Sequence, residues 1–113
     1  MKGTYLGEFQ EVVLLAVLIL QEDAYGTRIQ EEIQNEMKRS LSRGALHTAL
    51  TRLEEKGFLK SVMGGASEAR GGRRKRLYSV TNLGKESLNE ARELREQLWN
   101  KVPDIALNTS YAI

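Results

Sequence analysis

The sequence predicts a mainly α-helical fold with one small β-hairpin. Four segments carry apolar residues at helical spacing or in a long apolar run, and two strand-like segments flank a glycine-rich loop. A chain of 113 residues also suits one domain with an appended element. We therefore expect the order helix, helix, helix, hairpin, helix, with a compact domain over residues 1–81, a long helix over 82–102 and a tail over 103–113.

Composition excludes several classes of protein. With 41% hydrophobic and 28% charged residues, the chain is expected to fold and to be soluble. It has no cysteine, so it has no disulfide framework and no thiolate metal site. The apolar run Val12–Leu20 is too short to span a bilayer, and the acidic residues before it are unlike a signal peptide. We expect a cytoplasmic protein with no membrane partner, no cofactor and no catalytic or metal site.

The first two helices differ in how clearly the sequence defines them. Residues 8–20, EFQEVVLLAVLIL, are almost continuously apolar, so periodicity alone fits a buried helix or a buried strand. Their length and the polar start EFQE favour a helix. After a turn at QEDAYG, residues 27–39 place Ile29, Ile33 and Met37 at intervals of four, with charged residues on the other side. That spacing predicts an amphipathic helix.

The third predicted helix has one apolar and one polar face. Ser42 is placed to cap its N-terminus and Gly57 to end it. The apolar stripe consists of Leu46, Ala49, Leu50 and Leu53. By helical periodicity the opposite face carries Gly44, His47, Thr48, Thr51, Arg52 and Glu55. The polar face has short side chains near its start, so nothing bulky prevents the close approach of a partner.

A basic hairpin follows. Strand-like segments at 58–65 and 75–81 read as a hairpin with a glycine-rich tip. Residues 70–76, RGGRRKR, carry five cations, so the rest of the chain has a net charge of −3 although the whole chain has +2. One interpretation is a solvated surface loop, as for most charge runs. The other is a tip that lies against a polyanion, because a local positive field implies an oriented partner.

The last predicted helix starts at Thr81 or Asn82 and ends near residue 102, before Pro103. Its apolar residues along one side are Leu88, Ala91, Leu94, Leu98 and Val102. This stripe fits either packing within the chain or a seam between two copies. We favour the seam, because a complete small domain leaves a following charged helix little to pack on. The tail DIALNTSYAI is expected to lack regular structure.

Three short helices and a basic hairpin together describe a winged helix-turn-helix. A recognition helix needs an apolar side that holds it on the domain and a side of small polar or cationic residues that enters the major groove. The hairpin tip then meets phosphates or a minor groove, where clustered arginines gain from the negative potential. The sequence therefore predicts a protein that binds double-stranded DNA, and this context favours the polyanion interpretation of the basic tip.

Four segments in order resemble the successive motifs of PadR-type transcriptional regulators: LGEFQEVVLLAVL, AYGTRIQEEI, SRGALHTALTRLEEKGFL and RGGRRKRLYSVTNLGKESL. The resemblance covers roughly residues 6–100. It implies a homodimeric winged-helix repressor whose C-terminal helix mediates dimerisation, and the short C-terminal part resembles the family's smaller members. The family often has Tyr where this chain has His47, so the contact made there is expected to differ.

The residues expected to contact DNA are Tyr25, Ser42, Arg43, Gly44, His47, Thr48, Thr51, Arg52, Arg73, Arg74, Lys75 and Arg76. His47 is open to two interpretations, a DNA contact or a solvated surface residue. It is the one histidine of the chain, which also has no cysteine, so a metal role is not expected.

The residues expected at the dimer interface are Leu88, Ala91, Leu94, Leu98, Trp99 and Val102. Trp99 also has two interpretations. It packs in a core or interface, or it lines a pore between subunits that accepts flat aromatic compounds, as in some small members of the similar family. The expected ligand site consists of Leu98, Trp99 and Val102, and the expected effector is a planar aromatic or phenolic compound that relieves repression.

These expectations combine in a sequence-specific, ligand-responsive repressor that binds an imperfectly palindromic operator. Two alternatives remain open. One is a sequence-indifferent architectural DNA-binding protein that uses the basic hairpin alone, and the other is a protein-interaction module that has kept the fold and lost DNA binding. The polar face of the third helix favours the repressor, because its side chains offer base edges more hydrogen-bonding groups than either alternative needs.

Overall fold

Four α-helices and one antiparallel hairpin form the part of the protein that the structure describes, in the order that the sequence predicts. The computed structural model describes residues 6–64 and 75–111. The elements are α1 (Glu8–Leu20), α2 (Gly26–Met37), α3 (Arg43–Glu55), β1 (Leu59–Met63), β2 (Arg76–Val80) and α4 (Asn82–Lys101). Short 3-10 helices follow α1 at Gln21–Asp23 and α4 at Asp104–Leu107 and Thr109–Tyr111. The predicted fold class, mainly α with a small hairpin, is confirmed.

The core lies where α1, α2 and α3 meet the hairpin. The apolar run of α1 forms a helix, which settles the choice between helix and strand, and Val13 and Leu14 are fully buried. The predicted apolar faces are buried as well: Ile29 and Ile33 from α2, and Leu46, Ala49, Leu50 and Leu53 from α3. Burying the apolar side of α3 leaves its other side in solvent, as the sequence predicts.

The turn between α2 and α3 is held by side chains. Lys38 adopts the left-handed conformation, so α2 ends at Met37, two residues before the predicted end. The side-chain amide of Gln30 donates to the carbonyl oxygen of Leu41 at 2.7 Å, and the amide of Leu41 donates to Oε1 of Gln34 at 2.8 Å. These two bonds fix the angle at which α3 leaves the turn.

Both predicted caps of α3 are present. Oγ of Ser42 accepts from the amide of Ala45 at 3.0 Å. At the other end Gly57 has φ +82°, a conformation that costs a glycine little. The amide of Gly57 donates to the carbonyl of Glu54 and that of Phe58 to the carbonyl of Leu53, both at 2.9 Å, which is a Schellman motif. The chain is thereby turned directly into β1.

The hairpin is attached to the helices on one edge. Its register runs from Leu59 opposite Val80 to Met63 opposite Arg76. Tyr25 forms an isolated antiparallel bridge with Leu77, and the amide of Tyr78 donates to the carbonyl of Ala24 at 2.9 Å. The start of α2 is therefore fixed against β2.

Helix α4 is anchored to the domain through Thr81, and we call this contact the Thr81 junction. Oγ1 of Thr81 accepts from the amide of Gly84 at 3.0 Å and donates to the carbonyl of Gly57 at 2.6 Å. The amide of Thr81 also donates to the carbonyl of Phe58 at 3.0 Å. One residue thus joins the end of α3, the start of β1 and the first turn of α4.

Within the described ranges, burial of α4 is concentrated in its first turns. Gly84, Ser87 and Leu88 are buried, whereas every later residue of the helix except the half-buried Ala91 is exposed. The helix ends at Lys101, next to the predicted end, with Pro103 two residues on. The projecting helix makes the molecule elongated, with extents of 60 × 31 × 21 Å. The tail, which the sequence predicts to be irregular, instead contains the two 3-10 helices named above.

Candidate nucleic-acid interface

The solvent face of α3 carries the predicted contact residues. Ser42, Arg43, Gly44, His47, Thr48, Thr51 and Arg52 are all exposed. Their exposure follows from the burial of the opposite stripe, since Leu46, Leu50 and Leu53 are at most 3% exposed. The helix therefore presents hydroxyl, imidazole and guanidinium groups along one side, free of large apolar side chains.

A cleft of about 420 Å³ adjoins the N-terminal end of this face. It is lined by Tyr25, Gly26, Thr27, Arg43, Leu46, His47, Leu50, Lys75, Arg76 and Tyr78. Three separate elements contribute: the start of α2, the start of α3 and the strand β2. We call it the basic cleft, because three of its side chains are cationic. Tyr25, which the sequence predicts among the contacts, lies in its wall.

Arg43 is held over the start of α2. Its Nη2 donates to Oγ1 of Thr27 at 3.4 Å, a long hydrogen bond between two exposed side chains. Helix α2 begins at Gly26 without a side-chain cap. The positive end of that helix therefore adds to the charge of the guanidinium in the same part of the cleft.

Lys75 lies on an aromatic ring at the base of the hairpin. Its Nζ is 3.6 Å from the centroid of the Tyr25 ring, within the range of a cation–π interaction. The contact with the ring brings no carboxylate to the ammonium group. Because the backbone of Tyr25 is bridged to Leu77, this contact holds the ammonium group next to α2 and at the edge of the basic cleft.

Arg76 has a different environment. Its Nη1 donates to Oγ of Ser61 at 3.0 Å, and Oγ of Ser61 donates to Oε2 of Glu54 at 2.8 Å. Tyr78, 9% exposed, lies beside these groups. Burial raises the pKa of Tyr78, the carboxylate of Glu54 raises that pKa further, and the guanidinium of Arg76 lowers it. Glu54 is a member of this site that the sequence analysis did not single out.

The rest of the predicted basic tip is not among the residues that the structure describes. Arg73 and Arg74 fall outside the described residues, so their predicted contacts stay predictions. Within the part of the chain that the structure describes, the predicted cationic contacts are Arg43, Arg52, Lys75 and Arg76.

A second candidate surface lies on the far part of α4. Leu94 and Leu98 are each 58% exposed, and Trp99 is 61% exposed. An open crevice of about 360 Å³ is lined by Arg95, Leu98, Trp99, Val102 and Leu107. We call it the Trp99 crevice. It brings together the three residues of the predicted ligand site and adds Leu107 from the tail, which the sequence analysis did not include.

Leu88, predicted to belong to the same seam, lies in the core of its own chain and is 8% exposed. An ion pair between Arg95 and Glu11 links α4 to α1 beyond this point. The stripe therefore divides into a part that packs within the chain and a part, from Leu94 onward, that faces solvent.

Comparison with known proteins identifies the family. Residues 14–90, more than half of the chain, match the transcriptional regulator PadR-like family. The chain belongs to this family. The resemblance carried by the four sequence motifs is confirmed.

Relatives of this PadR-like chain cover most of its length. A protein of Lysinibacillus sphaericus described as uncharacterized is 36% identical over 101 residues, which are 88% of this chain and 84% of the relative. A crystal structure of a PadR family transcription regulator from Clostridium difficile is 29% identical with a TM-score of 0.58, covering 81% of this chain and 88% of that chain. A PadR-like regulator from Bacillus cereus has a TM-score of 0.69 at 19% identity, covering 88% and 92%. This last likeness concerns the fold.

The PadR-like protein is accordingly a DNA-binding transcriptional regulator with the predicted winged helix-turn-helix. No helix in the described ranges is long and apolar enough to cross a membrane. Across residues 6–64 and 75–111, no group of three or more His, Cys, Asp or Glu side chains is placed to hold a metal ion.

Proposed function

We propose that the protein is a homodimeric repressor that reads an operator with the solvent face of α3 and holds the DNA backbone with the basic cleft. The observation that carries this proposal is the cleft itself. It joins the start of the recognition helix to the start of α2 and to the base of the hairpin, so that base readout and backbone binding form one continuous surface.

The contacts divide by chemistry. His47, Thr48, Thr51 and Arg52 have groups that hydrogen-bond base edges, and Ser42 and Gly44 are small enough to let the backbone of α3 approach. Arg43 contacts Thr27 and Lys75 contacts the ring of Tyr25, so both cations lie next to the start of α2, where we propose that they neutralise phosphates. We call the hairpin of β1 and β2, together with the loop between them, the wing. Arg73 and Arg74, which belong to that loop and are beyond the described residues, are proposed to extend the same phosphate contacts along it.

The dimer is proposed to form through the exposed part of α4. The exposed apolar residues there are Leu94, Leu98, Trp99 and Val102, and α1 adds the exposed Leu15 and Ile19. Exposed leucines and a tryptophan on one projecting helix are typical of a surface that a partner covers. Two copies related by a two-fold axis would place two recognition helices about one helical turn of DNA apart, as half-sites of an imperfect palindrome.

The polar face of α3 favours sequence-specific binding over the two alternatives. An architectural protein would need the basic wing alone, and an interaction module would need neither the wing nor these polar groups. The basic cleft combines polar groups of α3 and cations at the base of the hairpin with the positive end of α2.

The test separates base contacts from phosphate contacts. Duplexes selected by the protein from a random pool supply the operator, and a scrambled duplex supplies the reference. We expect His47→Ala, Thr48→Ala and Arg52→Ala to weaken operator binding, by roughly 1–3 kcal/mol where a base contact is lost, while changing scrambled-duplex binding much less. Lys75→Ala should weaken both and reduce the slope of log K against log salt by about one. Fluorescence anisotropy at several salt concentrations measures both quantities.

Lys101→Ala is the matched control, because it removes an exposed cation at the end of α4 and away from the basic cleft. It should bind both duplexes like the unmodified protein. Equal losses on operator and scrambled DNA for all three α3 variants would rule out direct readout by this face.

We also propose that the Trp99 crevice binds the effector. Its lining is mainly apolar, with one cation at Arg95, and a tryptophan offers a flat face for stacking. A planar aromatic or phenolic compound suits such a lining.

A further inference from the structure

Two side-chain hydrogen bonds in series link α3, β1 and β2. We call this connection the Glu54 bridge. Glu54 of α3 accepts from Ser61 of β1 at 2.8 Å, and Ser61 accepts from Arg76 of β2 at 3.0 Å. Ser61 pairs with Tyr78 across the hairpin, and Arg76 is two residues before Tyr78. Ser61 and Arg76 are therefore diagonal neighbours on the same face of the hairpin, where long side chains reach each other.

The bridge changes the electrostatic role of Arg76. The guanidinium lies near the carboxylate of Glu54, close enough for both to act in opposite directions on Tyr78. Taken together, the two side chains carry no net charge. Lys75, by contrast, rests on a neutral ring. A phosphate that approaches Arg76 also approaches Glu54, so little net attraction is gained there.

The bridge also has a geometric role. The ladder between β1 and β2 fixes the hairpin internally, but the angle between hairpin and α3 depends on contacts between them. The Glu54 bridge ties the recognition helix to both strands, and one of its members, Arg76, lines the basic cleft.

We propose that Arg76 is a positioning residue that, through Ser61 and Glu54, sets the wing at a fixed angle to the recognition helix, and that Lys75 is the phosphate-binding cation at the base of the wing. The inference rests on the proposed DNA binding by α3 and the wing. It reassigns Arg76, which the sequence predicts to contact DNA directly. The bond from Arg76 to Ser61 is exposed, and exposed polar contacts add little to folding stability, so the effect of Arg76 is expected on the pose of the wing and hence on operator binding.

Ser61→Thr and Ser61→Val form a matched pair for the test. The two introduced residues, threonine and valine, are β-branched and of nearly the same shape, and both suit a strand. Threonine keeps the hydroxyl and valine removes it. We expect Ser61→Thr to bind the operator like the unmodified protein. Ser61→Val should bind the operator about three- to tenfold more weakly, which corresponds to the loss of one hydrogen bond. The slope of log K against log salt should not change in either variant.

Arg76→Ala and Lys75→Ala should then behave differently. Arg76→Ala should reproduce the loss of Ser61→Val with an unchanged salt slope, and the double variant should lose no more, because both changes break the same bridge. Lys75→Ala should reduce the slope by about one. In the protein without DNA, NMR signals of the Arg76 guanidinium should show restricted rotation in Ser61→Thr and faster rotation in Ser61→Val.

Several results would overturn the inference. One is a salt slope that falls by about one in Arg76→Ala, as for a phosphate contact. Another is operator binding by Ser61→Val equal to that of Ser61→Thr, or guanidinium rotation that is the same in both. An unmodified protein that binds no duplex would instead refute the proposed function, and this inference with it, so the two failures are distinguishable.

Discussion

Gly84 and Gly44 are both helical glycines, but their surroundings differ. A Cβ added at Gly84 would overlap the carbonyl oxygen of Phe58 and lie 2.7 Å from Cγ1 of Val80. A Cβ added at Gly44 would have no atom within 4 Å. The first glycine allows α4 to cross close to the start of β1, whereas the second stands in open solvent on the face of α3.

The two positions therefore give a matched pair of alanine variants. Gly84→Ala should lower the free energy of unfolding by about 1–3 kcal/mol, because backbone and a buried valine must move. Gly44→Ala should leave the free energy of unfolding unchanged or raise it by up to about 1 kcal/mol, through helix propensity alone. Urea denaturation followed by circular dichroism measures both. Equal stabilisation by the two substitutions would show that α4 does not pack closely on Phe58.

At the residue scale, features within a few positions were predictable and distant pairs were not. Ser42 and Gly57 act on their own helix ends, so a local pattern identifies them. The contact of Lys75 with Tyr25 joins residues far apart in sequence, and it exists because the isolated bridge to β2 brings α2 against the hairpin. The hydrogen bond from Ser61 to Glu54 was not predictable for the same reason, since the position of β1 relative to α3 is tertiary information.

Among the elements, α4 has the least support from its own chain. Its first turns are buried around Leu88, whereas Leu94, Leu98 and Trp99 are exposed by more than half. An amphipathic helix gains its stability chiefly from packing of its apolar side. The exposed half of α4 is therefore the surface that we propose a second copy covers.

Leu98→Glu tests the dimer proposed above. Burying a leucine is worth about 1.5–3 kcal/mol, and a two-fold interface buries it twice. The substitution should therefore weaken association by at least about 3 kcal/mol and give a folded monomer. Sedimentation equilibrium measures the mass, and circular dichroism checks the fold.

Asn100→Glu places the same charge on the same helix, at an exposed position outside the Trp99 crevice, and serves as the control. It should remain dimeric. A Leu98→Glu protein with unchanged mass would exclude this part of α4 from the interface.

The order of elements followed from sequence, but the division of the α4 stripe did not. Periodicity places Leu88 and Leu98 on one side of the helix without indicating where the domain beneath it ends. A helix advances about 1.5 Å per residue, so ten residues carry α4 well past its anchor. The two leucines therefore lie in different environments, one in the core and the other in solvent.

For the whole molecule, the basic cleft and the Trp99 crevice have no residue in common. In the proposed dimer, an effector in the crevice would therefore act through the arrangement of the two chains. It lowers operator affinity only if it binds the DNA-incompetent arrangement more tightly, since equal affinity for both arrangements shifts nothing.

A panel of flat aromatic and phenolic compounds tests this proposal. Trp99 is the one tryptophan in the chain, so its fluorescence reports on the crevice directly. A compound that quenches Trp99 should lower operator affinity by about 5- to 150-fold, the usual range of allosteric coupling. Anisotropy with labelled operator, with and without the compound, measures the effect. Quenching that leaves operator affinity unaltered would make Trp99 a packing residue without a regulatory role.

The Thr81 junction has a mechanical consequence for such a dimer. Its hydroxyl connects Gly57, just beyond α3, to Gly84, in the first turn of α4. The two helices are therefore joined at Thr81. Helix α4 has 20 residues and is about 30 Å in length. A tilt of α4 by about 5° at Thr81 moves the far end of the helix by roughly 2.6 Å on a helix of that length. In the proposed dimer, separating the far ends of the two α4 helices by a similar distance would tilt each α3 by a similar angle and change how the two α3 helices fit adjacent DNA grooves.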